Sequence, residues 1–346
     1  MKKLNSVFSK KQNQKSLLSN VSLDTLDKES LEHISLLRHI TILFVVCLMF
    51  LITACSSVPS GNYVNPVDLL DDQSAFYLAI PKEADEPLIG RMISKYIPQL
   101  SQKDINKISD RTSNIYCGIN RSRKGTTIQA AIEGNIPTTF LPRILTKKNG
   151  WDKRTYINEE LDKSHTIYTL QGIDVSFPSN SIVLVGRNIE YMLNRYDYLN
   201  SIPLAPLEGG EGVNAPNIVN DVNFTHNDSR KNVHSIIQDY LKGAITEIRF
   251  YANQPKSFLA VLTGTDLDLK LTDVSGSFTT DPKSDKQYLL NIFLNFKENK
   301  FMKAGKALLG LVFGLTGADT TVVDRTQLQV TGIEISKQQL YKILAI

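Results

Sequence analysis

The stretch from Arg38 to Cys55 sets how much of this 346-residue chain is available to a folded body. Arg38 and His39 close a polar leader, and a run of apolar residues follows from Ile40 to Ile52. The run is shorter than the roughly 20 residues that a spanning helix needs. Its length and charge order are those of the hydrophobic region of a secretory signal. Ile52-Thr53-Ala54-Cys55 then has the form of a bacterial lipobox. A branched aliphatic and two small residues suit signal peptidase, and the cysteine receives lipid. Ser56 and Ser57 follow, and the chain turns polar. The pattern predicts cleavage before Cys55, which becomes an acylated N-terminus. An uncleaved signal anchor or a buried core helix is the alternative for the same residues. Residues 1–39 are long for a leader and mix Lys with Asp and Glu, so residues 1–54 are set aside from the fold.

What remains is enough for one large or two small domains. The chain has 39 Lys/Arg and 35 Asp/Glu, of which seven and four lie in residues 1–54. The remainder carries 32 basic and 31 acidic residues and is close to neutral. That balance gives no global electrostatic argument for nucleic acid. Cys47 lies in the apolar run and Cys55 is the lipidation site, so Cys117 alone remains and no intrachain disulfide is expected. Cys117 reads as a small buried hydrophobe in a strand-like run, with no local base to make it a nucleophile.

Residues 55–73 read as a flexible tether, and the fold is expected to begin at Ser74–Ile80, a strand stopped by Pro81. Pro87 opens a helix in which Leu88, Ile89, Met92, Ile93, Tyr96 and Ile97 recur at helical spacing until Pro98. Ser101 and Asp104 suggest a second helix start, with Leu100 and Ile105 at the staple positions. Strands near 113–119 and 126–133 follow, joined by the basic turn Arg121–Gly125. Next come a short helix near 138–147, a loop holding the only tryptophan, Trp151, and strands near 165–171 and 180–186. A helix near 188–199 follows. Residues 200–228 are punctuated by Pro and Gly and read as a linker.

The helix near 229–242 presents Val233, Ile236, Ile237, Tyr240 and Leu241 on one face, with Gly243 as its stop. Strands are expected near 245–252 and 257–263. Leu267, Leu269 and Leu271 then alternate with polar residues, as on a half-buried strand, and Tyr288–Phe296 reads as a more buried one. The next helix, near 301–315, is unusual. Lys297, Lys300, Lys303 and Lys306 recur every three residues, and Leu308, Leu309, Leu311, Val312, Phe313 and Leu315 make its end apolar nearly all round. It is too short to span a bilayer. A helix lying in the headgroup region, lysines toward phosphate, fits this pattern. So does a helix buried against a sheet with its lysine-bearing end at the surface. Strands near 320–335 and a helix near 336–345, opened by the capping box Ser336 and Gln339, close the chain.

Catalytic and metal motifs are missing from this pattern. His165, His226 and His234 have no partner at zinc-ligand spacing. Asp266 and Asp268 lack the further carboxylate and glycine turn of a calcium loop. No hydrolase elbow or metalloprotease helix is present. The expectation is a non-enzymatic protein with no cofactor and no metal.

The order strand, strand, helix, repeated before and after residues 200–228, predicts an α+β fold: mostly antiparallel sheet with amphipathic helices layered as α/β/α. It also suggests two related halves, 74–199 and 229–346.

Glu86–Ile93, Lys103–Thr112, Gly150-Trp151 and Asp174–Pro178 are similar to segments of the treponemal concealed outer-membrane lipoproteins. The resemblance runs from about residue 74 to the C-terminus and is diffuse, with no catalytic motif in it. It implies a lipid anchor at the periplasmic leaflet of the outer membrane and an α/β/α body. It further implies amphipathic helices that insert into the bilayer, with open and closed forms that expose or hide an apolar cavity. Here the candidate helices are those near 88–97, 229–242 and 301–315. The cationic start of the last one and the long leader depart from the family pattern. The expected partner is membrane lipid, and the membrane-interacting residues are Lys300, Lys303, Lys306 and the apolar residues that follow them. The alternative is a surface-exposed lipoprotein that binds a host macromolecule.

Overall fold

The computed structural model describes residues 64–122, 125–202, 233–264, 267–313 and 318–344. All of them belong to one compact unit, Asn62–Ile346. Its frame is a twelve-stranded sheet in which neighbouring strands are antiparallel. In chain order the strands are β1 (Phe76–Pro81), β2 (Thr112–Ser122), β3 (Gly125–Gly134), β4 (Asp152–Asn158), β5 (Lys163–Leu170) and β6 (Ile173–Ser176). They continue as β7 (Ile182–Gly186), β8 (Ile248–Ala252), β9 (Leu271–Thr280), β10 (Gln287–Phe296), β11 (Asp319–Val322) and β12 (Gln327–Ser336). Across the sheet they run β11-β12-β10-β9-β8-β1-β2-β3-β7-β6-β5-β4.

Seven α-helices accompany the sheet among the described residues: α1 (Glu86–Tyr96), α2 (Gln102–Arg111), α3 (Glu190–Ser201), α4 (Ser235–Lys242), α5 (Pro255–Thr263), α6 (Asn299–Phe313) and α7 (Lys337–Leu344). The fold is therefore mixed α+β and mostly sheet. β1 to β7 lie together on one side of the β1–β8 seam, and β8 to β12 lie together on the other.

β1 is buried along its whole length. Successive strand residues point to opposite faces, so β1 feeds two hydrophobic clusters. Phe76, Leu78 and Ile80 join one that also holds Leu88, Ile93, Ile105 and Leu309. Tyr77 and Ala79 join another with Leu69, Met192, Leu193 and Ile237. Each fully buried leucine or isoleucine contributes about 1.5–3 kcal/mol relative to exposure.

Local signals explain the helix starts. Asp85 caps α1 by accepting the Leu88 amide at 3.0 Å, and Pro87 takes an early position where a missing N–H costs nothing. Ser101 caps α2 by accepting the Asp104 amide at 3.2 Å, and Leu100 and Ile105 are both buried beside it. At α7 the capping box is reciprocal. The Gln339 amide donates to Ser336 Oγ at 3.3 Å, and the Ser336 amide donates to Gln339 Oε1 at 2.8 Å.

Several expectations are corrected. Residues 257–263, read as a strand, belong to helix α5. Pro255 starts it, Phe258, Leu259 and Leu262 form its buried side, and Gly264 ends it at φ +71°. The short apolar run hid its period. The helix expected near 138–147 is instead two 3-10 turns, Leu141–Arg143 and Lys147–Asn149, with Pro142 in the first. The stretch after Trp151 is not loop but β4, an edge strand whose exposed, charged residues carry no apolar alternation. β6 has four residues, too few for a period to show. The alternation of Leu267, Leu269 and Leu271 is real in burial, but pairing starts only at Leu271. Residues 1–63, including the signal, Cys55 and most of the tether, lie outside the described residues. So do Arg123 and Lys124 of the basic turn, residues 203–232 of the linker and helix start, Asp266 and Leu315.

Candidate apolar cavity and cationic helix

α1 lies over strands β2 and β3 and leaves a cavity of about 210 Å³ beneath its C-terminal half. The stripe that makes α1 amphipathic supplies the roof: Met92, Ile93, Tyr96 and Ile97. The walls come from alternate strand residues, Ile115 and Cys117 on β2 and Ile128, Ala130 and Ile132 on β3. An apolar cavity of ~150 Å³ already binds a small hydrocarbon. Thr126, at the start of β3, Arg187, just past β7, and Tyr96 of the roof bring polar groups to the lining.

Burial sets the chemistry of the walls. It pushes the Cys117 thiol up to about 12. Tyr96 is also raised from its ordinary value, by burial first and by Cys117 second. Both groups are neutral at physiological pH, so the walls carry no charge. Cys117 is buried, as its sequence context suggested, but no local pattern disclosed that it lines a cavity.

α1 is fastened at its other end. Asp85 is 7% exposed, and its Oδ2 accepts from Tyr288 Oη at 2.5 Å and from Lys337 Nζ at 2.8 Å. Thr280 Oγ1 donates to the Ala84 carbonyl at 3.1 Å, and the Arg91 guanidinium lies 4.1 Å over the Tyr341 ring. These partners come from β9, β10 and α7, across the β1–β8 seam from the strands that form the cavity.

α6 divides the residues expected to touch lipid. Met302, Gly305 and Leu309 face the core, and a Cβ on Gly305 would come within 2.5 Å of the Phe296 ring. Leu309 is fully buried, whereas Leu308 is 38% exposed. Lys300, Lys303 and Lys306 are exposed. Lys300 pairs with Glu298 at 2.8 Å. Leu311, Val312 and Phe313 continue the helix to its last described turn. No described helix is long and apolar enough to cross a membrane.

One polar cluster escaped the sequence entirely. His165 Nε2 lies 2.8 Å from Asp197 Oδ1, and Asn158 Nδ2 donates to Asp197 Oδ2 at 3.0 Å. The cluster ties α3 to the β4–β5 hairpin. His165 and Asp197 stand 32 positions apart, so no spacing rule relates them. Among the described residues, no group of three or more His, Cys, Asp or Glu side chains is placed to hold a metal ion.

A family model described as outer membrane-associated lipoprotein TP0453 matches residues 61–341. The chain belongs to this family. The same likeness is seen in solved structures. Crystal form I of TP0453 is 20% identical, covers 82% of this chain and 97% of that one, and superposes with a TM-score of 0.57. Crystal form III is 19% identical, covers 82% and 98%, and gives 0.55. At these identities the structures establish the shared fold. Among curated proteins, none matches. The TP0453 family is one of outer membrane-associated lipoproteins and not of enzymes, in agreement with the resemblance carried by Glu86–Ile93 and the later segments.

Proposed function

We propose that this protein is a non-catalytic lipoprotein, held by acyl chains on Cys55 at the periplasmic leaflet of the outer membrane. It engages the bilayer through amphipathic helices and takes up lipid. The observation that carries this reading is the outer face of α6, where exposed Lys303 and Lys306 stand beside half-exposed Leu308. Lysines attract anionic headgroups by roughly 1 kcal/mol each, and a neighbouring leucine enters the acyl boundary. The 15 residues of α6 reach ~22 Å, short of the ~30 Å hydrocarbon core, so the helix lies along the interface. Leu309 meets lipid only if α6 leaves the sheet. Contact through the lysines and Leu308 needs no such movement. In the sequence the apolar residues Leu311, Val312, Phe313 and Leu315 follow. Anchoring through Cys55 makes weak helix insertion effectively intramolecular.

A layered α/β/α body in two related halves is part of the same reading. The contiguity of β1 to β7 and of β8 to β12 on opposite sides of the seam supports it. The partner is membrane lipid rather than nucleic acid, in keeping with the near-neutral body.

Flotation of the chain from Ser56 onward with neutral and anionic liposomes tests this. Flotation with both, weakened by Leu308→Asp, is the expected result. Binding to anionic vesicles alone, abolished by salt, would limit the contact to the lysines. Absence of flotation would overturn the reading.

A further inference from the structure

We infer that the groove between α1 and α2 binds a short extended peptide with both ends free. Its amino group lies at Glu86 and Asp110, and its carboxylate at Arg91 and Lys95. This is a second site, lined by other residues of α1 than the apolar cavity, and it does not depend on membrane contact.

The two helices form an antiparallel hairpin. Lys82 lies 3.6 Å from Glu86 at the start of α1 and 3.9 Å from Asp110 near the end of α2. Midway, a Cβ on Gly90 would meet Ile105 of α2 at 3.7 Å. The groove along this hairpin has a volume of about 1080 Å³. Glu86, Gly90, Ser94 and Pro98 follow one another along its first side at four-residue steps. Gln102, Asn106 and Asp110 do the same along the second, so each set shares a helix face.

The lining selects a ligand class. Its apolar side chains are the two prolines, Pro87 and Pro98, too few to hold an acyl chain. None of its described residues is aromatic, so a sugar ring has no face to stack on. The carboxylates at one end oppose a polyanion. A peptide meets none of these objections. Gln102 Nε2 donates to Asn106 Oδ1 at 2.9 Å, which sets two carboxamides in a row along α2. A carboxamide carries both the donor and the acceptor that a peptide group needs. Ser109 also lines the groove. It is 5% exposed, and its hydroxyl has no hydrogen-bond partner among the described residues. Burying a hydroxyl in this way is costly, and a peptide group at this end of the groove supplies the missing partner. The ends carry opposite charge. The Glu86 and Asp110 side chains keep 51% and 68% of their exposure, which leaves them open to an ammonium group. Arg91, whose guanidinium is steadied over the Tyr341 ring, precedes Lys95 by one turn, and a carboxylate suits the pair. Glu86 and Lys95 are nine positions apart, ~14 Å at the rise of a helix, which ~4 residues of extended chain cover.

The test is isothermal titration calorimetry, at two temperatures, of the chain from Ser56 onward with tetra-alanine free at both ends. Submillimolar binding is expected. N-acetylation or C-amidation of the peptide should each weaken it about tenfold. Asp110→Asn should weaken the free peptide and leave the N-acetylated one as it was. Lys95→Gln should weaken the free peptide and leave the C-amidated one as it was. Both side chains are exposed, so the thermal transition of either variant should match that of the parent. A second tetra-alanine with D-residues at its last two positions separates cell-wall peptides from ordinary ones. A preference for either form identifies the source and supports the site. Absence of binding by both forms overturns the inference. So does equal binding of the end-blocked peptides, or indifference of the free peptide to Asp110→Asn and Lys95→Gln.

Discussion

Tyr288 donates its phenolic hydrogen to Asp85 Oδ2 across 203 positions of sequence, at 2.5 Å. The same oxygen receives Lys337, and the other oxygen of Asp85 caps α1. One buried carboxylate therefore starts the helix that roofs the cavity and fastens it to the far side of the sheet.

Asp85→Ala is expected to be the most destabilising change in this network. It removes the α1 cap and leaves Tyr288 Oη and Lys337 Nζ without their acceptor. A loss of about 1–3 kcal/mol follows from orphaned buried polar groups, read as a fall in Tm. Tyr288→Phe keeps the cap and the lysine contact and should cost less.

Cys117 should report on the roof. In the native protein at pH 8 a thiol reagent is expected to react slowly, because burial both shields the thiol and holds its pKa near 12. Asp85→Ala, by loosening α1, should speed the reaction while the far-ultraviolet circular dichroism stays native. Equal rates in the two proteins would mean that the latch does not control access to the cavity.

Alkaline conditions should weaken the fold. Burial raises Tyr191, Tyr240 and Tyr251 to about 12 from 10.0, and Cys117 to about 12 from 9.0. The folded chain holds these protons to higher pH than the unfolded chain, so the unfolded state is the first to lose them. Their contribution is complete below pH 9 and declines as the pH climbs from the unfolded values toward about 12. Denaturant midpoints measured across this range should fall steadily, and a flat profile would contradict the burial of these groups.

The two adjacent leucines of α6 should behave differently. Leu309→Ala opens a hole in the core and should cost about 2–5 kcal/mol in denaturant unfolding. Leu308→Ala lies outward and should stay within about 0.5 kcal/mol. Its effect is expected in liposome flotation instead.

Much of the secondary structure was legible because its signals are local. Pro87, Ser101 with Asp104, and Ser336 with Gln339 announce helix starts within a single turn, and Tyr288–Phe296 announces a strand by alternation. Where the local signal was absent or ambiguous, the reading failed. Phe258, Leu259 and Leu262 form one side of a helix, but a run that short does not declare its period. β4 belongs to the sheet only because β5 accepts it, and its own exposed residues say nothing of that.

By itself the sequence determined the α+β class and the family, and it nominated Cys55 as the acylation site. All of these rest on residue types and on contacts within a few positions. Only the tertiary structure decided that α1 covers a cavity walled by β2 and β3, and that Asp85 meets Tyr288 and Lys337. It alone separated Leu308 from Leu309. The physical reason is that a cavity, a rim and a latch are made by side chains from distant strands, and the sheet register that brings them together is a property of the whole fold.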